Sequence, residues 1–425
     1  MLTLLRQRNY ALLWVGGLIS VLGDWVLIAA LPFYVYNLTG SALASGGMFI
    51  ALTLPNIVLG SVAGVFADRW DRRRVMVAAD LSRAAVLLLL LAVRSPDWIW
   101  LVYAVAALDA AISQFFNPAK NALLPQLAGA DHLVAANALG GINNSIGRLL
   151  GPALGGVLLG VFGLPSVVAA DSLSYLVSGA LIARISISTR GATRAAGGTP
   201  NTAWTRAWAD WLDGLRLVRR SRGLTIFFIV IAIAACAEGI YQVIFVVFVK
   251  QALHGGAREF GWLLSTQAIG GLLGGALVGR FGRRLAPHLL VALLAVAGLA
   301  VLVLAIVPSL PLALALYVIA GVPVAGYLIG FNTVLQNGAT DRYRGRLFGA
   351  FATTWSLLVL VGQGVGSALG NSVGSVHLLM VNGALNIVAG IMALALLHQS
   401  GADARSSTAA DEGSAATPTQ SSTAS

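Results

Sequence analysis

Asp24 and Glu238 are carboxylates set deep inside long apolar stretches. A carboxylate in that setting either pairs with a cation or takes up and releases protons as its surroundings change. Each stands fourteen residues from the start of its stretch, about 21 Å along a helix, which puts both near the middle of a bilayer. Asp109 is a third such group, and Arg148, about eleven residues into its own stretch, needs a partner or water to reach it. Asp171 lies close to the end of its stretch and reads as interfacial, while Asp80 and Arg83, one helical turn apart near the inner surface, read as structural, paired with each other or with the basic loop. For Asp24, Glu238, Asp109 and Arg148 a structural role stands beside the functional one, and the chemistry on offer is proton exchange coupled to a bound molecule.

Such chemistry needs elements that cross hydrocarbon. Hydrophobic residues make up 58% of the 425 positions and charged residues 10%, with a mean hydropathy of +0.84, too little polar surface to cover a water-soluble globule. The fold class that follows is an all-α polytopic membrane protein. The net charge of +11 raises a nucleic-acid partner, but the basic residues are scattered among short loops and form no groove-sized patch. Cys236, the single cysteine, excludes an intramolecular disulfide and a cysteine-built metal site. The first apolar span is too long for a signal peptide and lacks a small-residue cleavage site.

The run from Asp68 to Arg74 fixes direction, because six charges in seven residues must lie in water and an arginine-rich loop favours the cytoplasm. The first span covers about 10–36, the second returns through Pro55 and Gly60, and the next four lie near 75–93, 98–116, 137–162 and 166–184. Six more follow near 224–249, 259–281, 286–307, 310–332, 346–370 and 374–397. Both termini are then cytoplasmic, and 22 of the 27 Lys and Arg residues fall on inner segments. Lys120, Asp131 and His132 are assigned to an inner loop. The domains expected are a six-helix bundle over 1–187, a cytoplasmic linker with an amphipathic helix over 188–223, a second bundle over 224–398, and a disordered cytoplasmic tail over 399–425. In the linker, Trp204, Trp208, Trp211, Leu212, Leu215 and Val218 recur at helical spacing. That face either lies on the inner membrane surface or packs on the protein.

The halves repeat each other. A shift of 211 places Gly60 on Gly271, Gly64 on Gly275, Arg69 on Arg280, Arg72 on Arg283 and Arg73 on Arg284, and a shift of 214 places Asp24 on Glu238. Two parallel six-helix repeats around a midplane site describe a rocking-bundle transporter.

Gly64, Asp68, Arg69, Arg72 and Arg73 in GVFADRWDRRR resemble the signature that the major facilitator superfamily carries between its second and third helices. Gly147, Gly151, Pro152, Gly155 and Gly156 match the G-x3-G-P-x2-G-G core typical of that superfamily's drug:proton antiporters. The openings WVGGLISVLGDW and YVYNLTGSA look similar to the branch that includes macrolide efflux proteins and the enterobactin exporter. The resemblance covers 1 to about 398 and implies the major facilitator fold, twelve transmembrane helices in two pseudo-symmetric six-helix bundles. The basic loop either gates the inner side, with Asp68 accepting hydrogen bonds from Arg72, or its arginines only anchor topology. The resemblance also implies that a bend at Pro152 seals the cavity against proton leak, with simple tight packing the alternative role of the glycines. Two departures stand out: Asp71 replaces the usual glycine, and Leu101 to Phe116 holds no basic residue where many antiporters carry an arginine.

The function expected is a secondary active transporter, not an enzyme, that exports hydrophobic or amphipathic small molecules by proton antiport. The alternative is a dedicated metabolite or siderophore exporter, or an importer, of the same fold. A small-molecule substrate, protons and the lipid bilayer are the expected partners. The expected state is a monomer in the plasma (bacterial inner) membrane, with no cofactor, metal or nucleic acid. His132, His254, His288, His377 and His398 fall at loops or span ends and form no metal-ligand pair, which argues against a membrane-embedded enzyme.

Overall fold

A computed structural model describes residues 2–67, 70–186, 200–282, 285–337 and 341–415, and these contain helices and short connections with no strand. A single turn, α1 (Leu2–Leu5), precedes six long helices: α2 (Arg8–Thr39), α3 (Ala42–Ala67), α4 (Arg72–Leu88), α5 (Ile99–Ala128), α6 (Leu133–Phe162) and α7 (Leu164–Ala183). A linker helix α8 (Pro200–Arg219) leads to the second six: α9 (Arg222–Gln251), α10 (Ala257–Phe281), α11 (Pro287–Ile306), α12 (Leu310–Asn337), α13 (Asp341–Leu369) and α14 (Ser375–Ala415). Twelve of the described helices are long and apolar enough to cross a bilayer.

Local chemistry sets the helix ends. Gly40, at φ +63°, takes the left-handed conformation that closes α2, its N–H donating to the Tyr36 carbonyl, so α3 can turn straight back. Asp71 begins α4 by accepting a 2.9 Å hydrogen bond from the Arg74 N–H. The residue that departs from the family's glycine is therefore a helix cap. Ser221 caps α9 in the same way, accepting from the Leu224 N–H.

Within the first bundle α2 packs along α6 over a strip of small residues. A β-carbon at Gly147 would lie 2.6 Å from Val21 Cγ1, and one at Gly155 would lie 3.0 Å from Val26 Cα, so the two helices approach to backbone contact. Gly156, one residue on and turned by about 100°, faces Ala257 and Arg258 of α10 in the other bundle. The bundles meet at the end of the helices opposite the basic connections. There the Ala42 N–H donates to Asn371 Oδ1 (3.1 Å), Gln251 Nε2 to the Tyr36 hydroxyl (2.9 Å), and the Ala153 N–H to Ser265 Oγ (3.1 Å). Phe260 bridges the halves beside them, its ring 5.6 Å from Phe33 and 5.5 Å from Phe245.

Two elements differ from their expected form, and a third takes one of the two forms expected of it. α5 does not stop at Phe116 but runs through Asn117–Pro118 to Ala128. Its face Phe116, Ala119 and Leu123 is buried against Leu13, Met76 and Ile182, and that burial holds the helix across a proline. Lys120 is thus on a spanning helix and not in a loop. α14 continues to Ala415, where an unstructured tail was expected from 399. Alanines at 402, 404, 409, 410 and 415 extend a helix already nucleated in the span before them. The linker helix packs on protein: Trp211, Leu215 and Val218 join a core with Phe227, Phe331 and Leu347, and Trp211 Nε1 donates to Thr354 Oγ1 (3.3 Å). Trp208 on the same helix stays exposed.

Candidate functional site

Between the bundles lies a cavity of about 530 Å³, walled by Trp25, Phe49, Phe116, Phe245 and Phe260 and carrying charge from Asp24, Arg83, Asp109, Lys120, Arg148 and Glu238. The four predicted midplane groups, Asp24, Asp109, Arg148 and Glu238, therefore share one space, and the structure adds Arg83 and Lys120 to them.

Arg83 of α4 is the hub of the first bundle. Its Nε donates to Asp109 Oδ1 (2.8 Å) and its Nη2 to Asp109 Oδ2 (2.9 Å), a two-pronged grip. Nη2 also reaches Asp24 Oδ1 at 2.8 Å, so one guanidinium ties α2 to α5. The Tyr175 hydroxyl of α7 donates to the same Asp24 oxygen, and the Tyr175 ring lies under the guanidinium at 4.2 Å. This corrects the expected Asp80–Arg83 pair. Asp80 points to α7, fully buried, and neither of its oxygens has a hydrogen-bond partner among the described residues. Asp171 is likewise fully buried and not interfacial, because α7 turns it toward Gly23 of α2.

α5 presents Asp109, Ser113, Phe116 and Lys120 to the cavity at spacings of four, three and four residues, one helical face. Arg148 of α6 sits over the Trp25 ring at 5.5 Å and makes no salt bridge among the described residues. It also lines a second space of about 220 Å³ that reaches into the other bundle toward Tyr327, Trp355 and Asn386. Glu238 of α9 borders both spaces.

Glu238 begins a chain of amides. Gln242 Nε2 donates to Glu238 Oε1 (3.0 Å), and Gln363 Nε2 donates both to Gln242 Oε1 (2.9 Å) and to Thr53 Oγ1 of α3 (3.1 Å). Gln363 is 1% exposed. The carboxylate of the second bundle is thus joined by hydrogen bonds to the first. Tyr241 and Tyr317 share a 2.6 Å hydroxyl contact beside it and stack on Phe245 at 5.1 and 5.0 Å.

Of the basic-loop residues, Gly64 lies in α3, whereas Asp68 and Arg69 fall outside the described residues. Arg72 Nη1 donates to the Ala122 carbonyl of α5 (3.1 Å) and Arg73 Nη1 to the Ile185 carbonyl after α7 (2.7 Å), which fastens three helix ends of one bundle together. In the glycine motif, Gly147, Gly151 and Gly155 face α2, while Pro152 and Gly156 face Gly261 and Ala257 of α10. Sequence reasoning missed Lys120, Thr53, Tyr175, Gln242 and Gln363 as parts of the site. A signal existed only for Lys120, eleven residues and three helical turns beyond Asp109.

The arrangement suits binding of an amphipathic molecule, with groups able to hold or release protons in its wall. Residues 1–422 match the model of a family described as transmembrane secretion effector, MFS_3. The chain is similar to Macrolide efflux protein A of Streptococcus pyogenes, 25% identical over 391 residues that cover 91% of this chain and 95% of that one. It is similar to the multidrug efflux pump Tap of Mycolicibacterium fortuitum, at 29% identity over 82% of this chain and 86% of the pump. Among solved structures it resembles the nucleoside transporter NupG, with a TM-score of 0.70 at 16% identity over 91% of this chain and 98% of the other. It also resembles a bacterial homologue of the iron transporter ferroportin in its inward-facing state, with a TM-score of 0.71 at 15% identity over 92% and 98%. At those identities the structures speak for the fold.

Proposed function

The chain belongs to the transmembrane secretion effector family of major facilitator transporters, and on that footing we propose that it exports hydrophobic or amphipathic small molecules in exchange for protons. The observation that carries this reading is the aromatic-walled cavity of about 530 Å³, set between two bundles that join at one end through hydrogen bonds and packing contacts a rocking motion can break. Relatives named for macrolide and multidrug efflux support export. The basic connections and both termini are placed in the cytoplasm, so the cavity faces inward with its outer end shut. The protein works as a monomer.

In this mechanism a substrate enters from the cytoplasm and stacks on Trp25, Phe245 and Phe260. Binding desolvates Glu238, and whether it holds a proton then follows whether substrate or water fills the cavity. A protonated Glu238 still accepts from Gln242 through its carbonyl oxygen but more weakly, which loosens the amide chain to Thr53 and lets the outer end part. Gly64, Asp68, Arg69, Arg72 and Arg73 close the inner end in the alternate state. Pro152 and Gly156 give α6 the smooth surface on which α10 docks and separates, while Gly147, Gly151 and Gly155 hold α6 against α2 in both states.

A second reading, a dedicated exporter of one acidic metabolite, draws on Lys120 and Arg148, two cations that face the cavity without a salt bridge among the described residues. The test is ethidium uptake into everted membrane vesicles. Uptake that collapses when the pH gradient is dissipated, and in Asp24→Asn and Glu238→Gln, supports proton-coupled export. Uptake indifferent to the gradient overturns the coupling. Loss of transport in Lys120→Met for acidic molecules, with ethidium unaffected, favours the second reading.

A further inference from the structure

Behind the cavity wall, inside the first bundle, runs a column of ionisable groups that the substrate space does not touch. α7 carries Asp171, Tyr175 and Ser178 at spacings of four and three residues, one helical face. A β-carbon at Gly23 would run into Asp171 Oδ1, and one at Gly179 would lie 3.4 Å from Asp80 Cβ, so the column touches α2 at its upper part and α4 at its lower. Asp171, Asp80 and Ser178 are each 0% exposed. Both oxygens of Asp80, Oδ2 of Asp171 and the Ser178 hydroxyl have no hydrogen-bond partner among the described residues.

The charges do not balance. Asp24 of α2, Asp80 of α4, Asp109 of α5 and Asp171 of α7 surround one guanidinium, Arg83, whose bonds go to Asp24 and Asp109. α3 carries no charged residue over 42–67, Arg148 of α6 is turned to Trp25, and Lys120 of α5 borders the cavity. Ser174 Oγ donates to Asp171 Oδ1 at 3.1 Å, while Asp80 accepts no hydrogen bond among the described residues. A fully buried carboxylate held by at most one neutral donor is costly to keep ionised, and the smallest remedy is a bound proton. Asp171 lies seven residues into α7 from the closed end, about 10 Å, and Asp80 eight residues into α4 from the basic end, about 12 Å. They flank the Arg83 hub on opposite sides.

We propose that Asp171 and Asp80 are proton-binding stations, the outer and inner ends of a proton path through the first bundle that runs behind the cavity wall and meets the cavity at Asp24. A proton from water at the closed end binds Asp171, passes by way of the Tyr175 hydroxyl and Asp24, binds Asp80 and leaves at the basic end, with no other bond changed. Coupling this passage to export rests on the antiport reading above; the holding of protons at the two stations does not.

Infrared spectroscopy of the purified full-length protein at neutral pH tests the stations. The wild type should show the carbonyl stretch of protonated carboxylic acids, with one component lost in Asp171→Asn and another in Asp80→Asn, and kept in Asp171→Glu. A spectrum without that stretch, or unchanged in both Asn variants, overturns the proposal, and thermal melts identify any variant that has failed to fold. In pyranine-loaded liposomes, ethidium-driven proton movement should fall by at least about 100-fold in either Asn variant, the scale of losing a positioned proton-transfer group. If the wild type moves no protons with ethidium yet the infrared components are lost as expected, the stations stand and the antiport reading falls. If proton movement in both variants equals that of the wild type, the path falls and antiport stands.

Discussion

Gly155 and Gly156 are neighbours in sequence, and replacing each by alanine should do different things. At 155 an added β-carbon would lie 3.0 Å from Val26 Cα of α2, within the same bundle; at 156 it would lie 3.1 Å from Ala257 C and from Arg258 Cα of α10, across the interface. All are backbone atoms that cannot swing aside, so each substitution should cost about 1–3 kcal/mol in overpacking. The Gly155→Ala cost applies in every conformation, since α2 and α6 stay together, and should appear as lost thermal stability. The Gly156→Ala cost applies only while α6 touches α10. A penalty of about 1–3 kcal/mol on one of two states moves their ratio by about 5- to 150-fold, here toward opening of the closed end. Ser367 is 3% exposed at that end, so maleimide labelling of Ser367→Cys in a Cys236→Ser background reports the opening. Labelling should accelerate in Gly156→Ala and hold in Gly155→Ala, while the melting temperature falls in Gly155→Ala. Equal labelling in the two variants would refute the assignment of Gly156 to a contact that breaks during transport.

Replacing Arg83 by Gln strands Asp24 and Asp109 without their cation and should cost about 3–5 kcal/mol, seen as a lower melting temperature that Asp109→Asn in the same chain partly restores. Should the double variant melt no higher than the single, the hub is not held by charge. Gln363→Leu removes the bonds to Thr53 and Gln242 and should weaken the closed end by about 1–3 kcal/mol, raising the Ser367→Cys labelling rate without abolishing folding. Unchanged labelling would remove Gln363 from the interface argument. Trp211→Ala should destabilise the protein by about 2 kcal/mol, less than a fully buried aromatic, because only part of the linker helix face is covered. A melt identical to wild type would mean that the helix rests on lipid instead.

The sequence by itself determined the class of this protein, its twelve spans, its two-fold repeat and four of the charged residues that meet in the cavity. Those features are local or periodic: a run of about twenty apolar residues is a span whatever surrounds it, and Asp24 lies at mid-depth because of where its helix starts. The partners of those charges were decided only by tertiary structure. Asp80 and Arg83 are one turn apart and look like a pair, but Arg83 is claimed by Asp24 and Asp109 from helices 59 and 26 residues away. Lys120 looked like a loop residue because Asn117–Pro118 reads as a helix end, and only the burial of Ala119 and Leu123 against other helices carries α5 past it. Hydrophobic length is written along one chain segment, whereas an ion pair, a buried acid without a cation or the contact of Gly156 with α10 depends on which helix faces which, and packing of the whole bundle sets that.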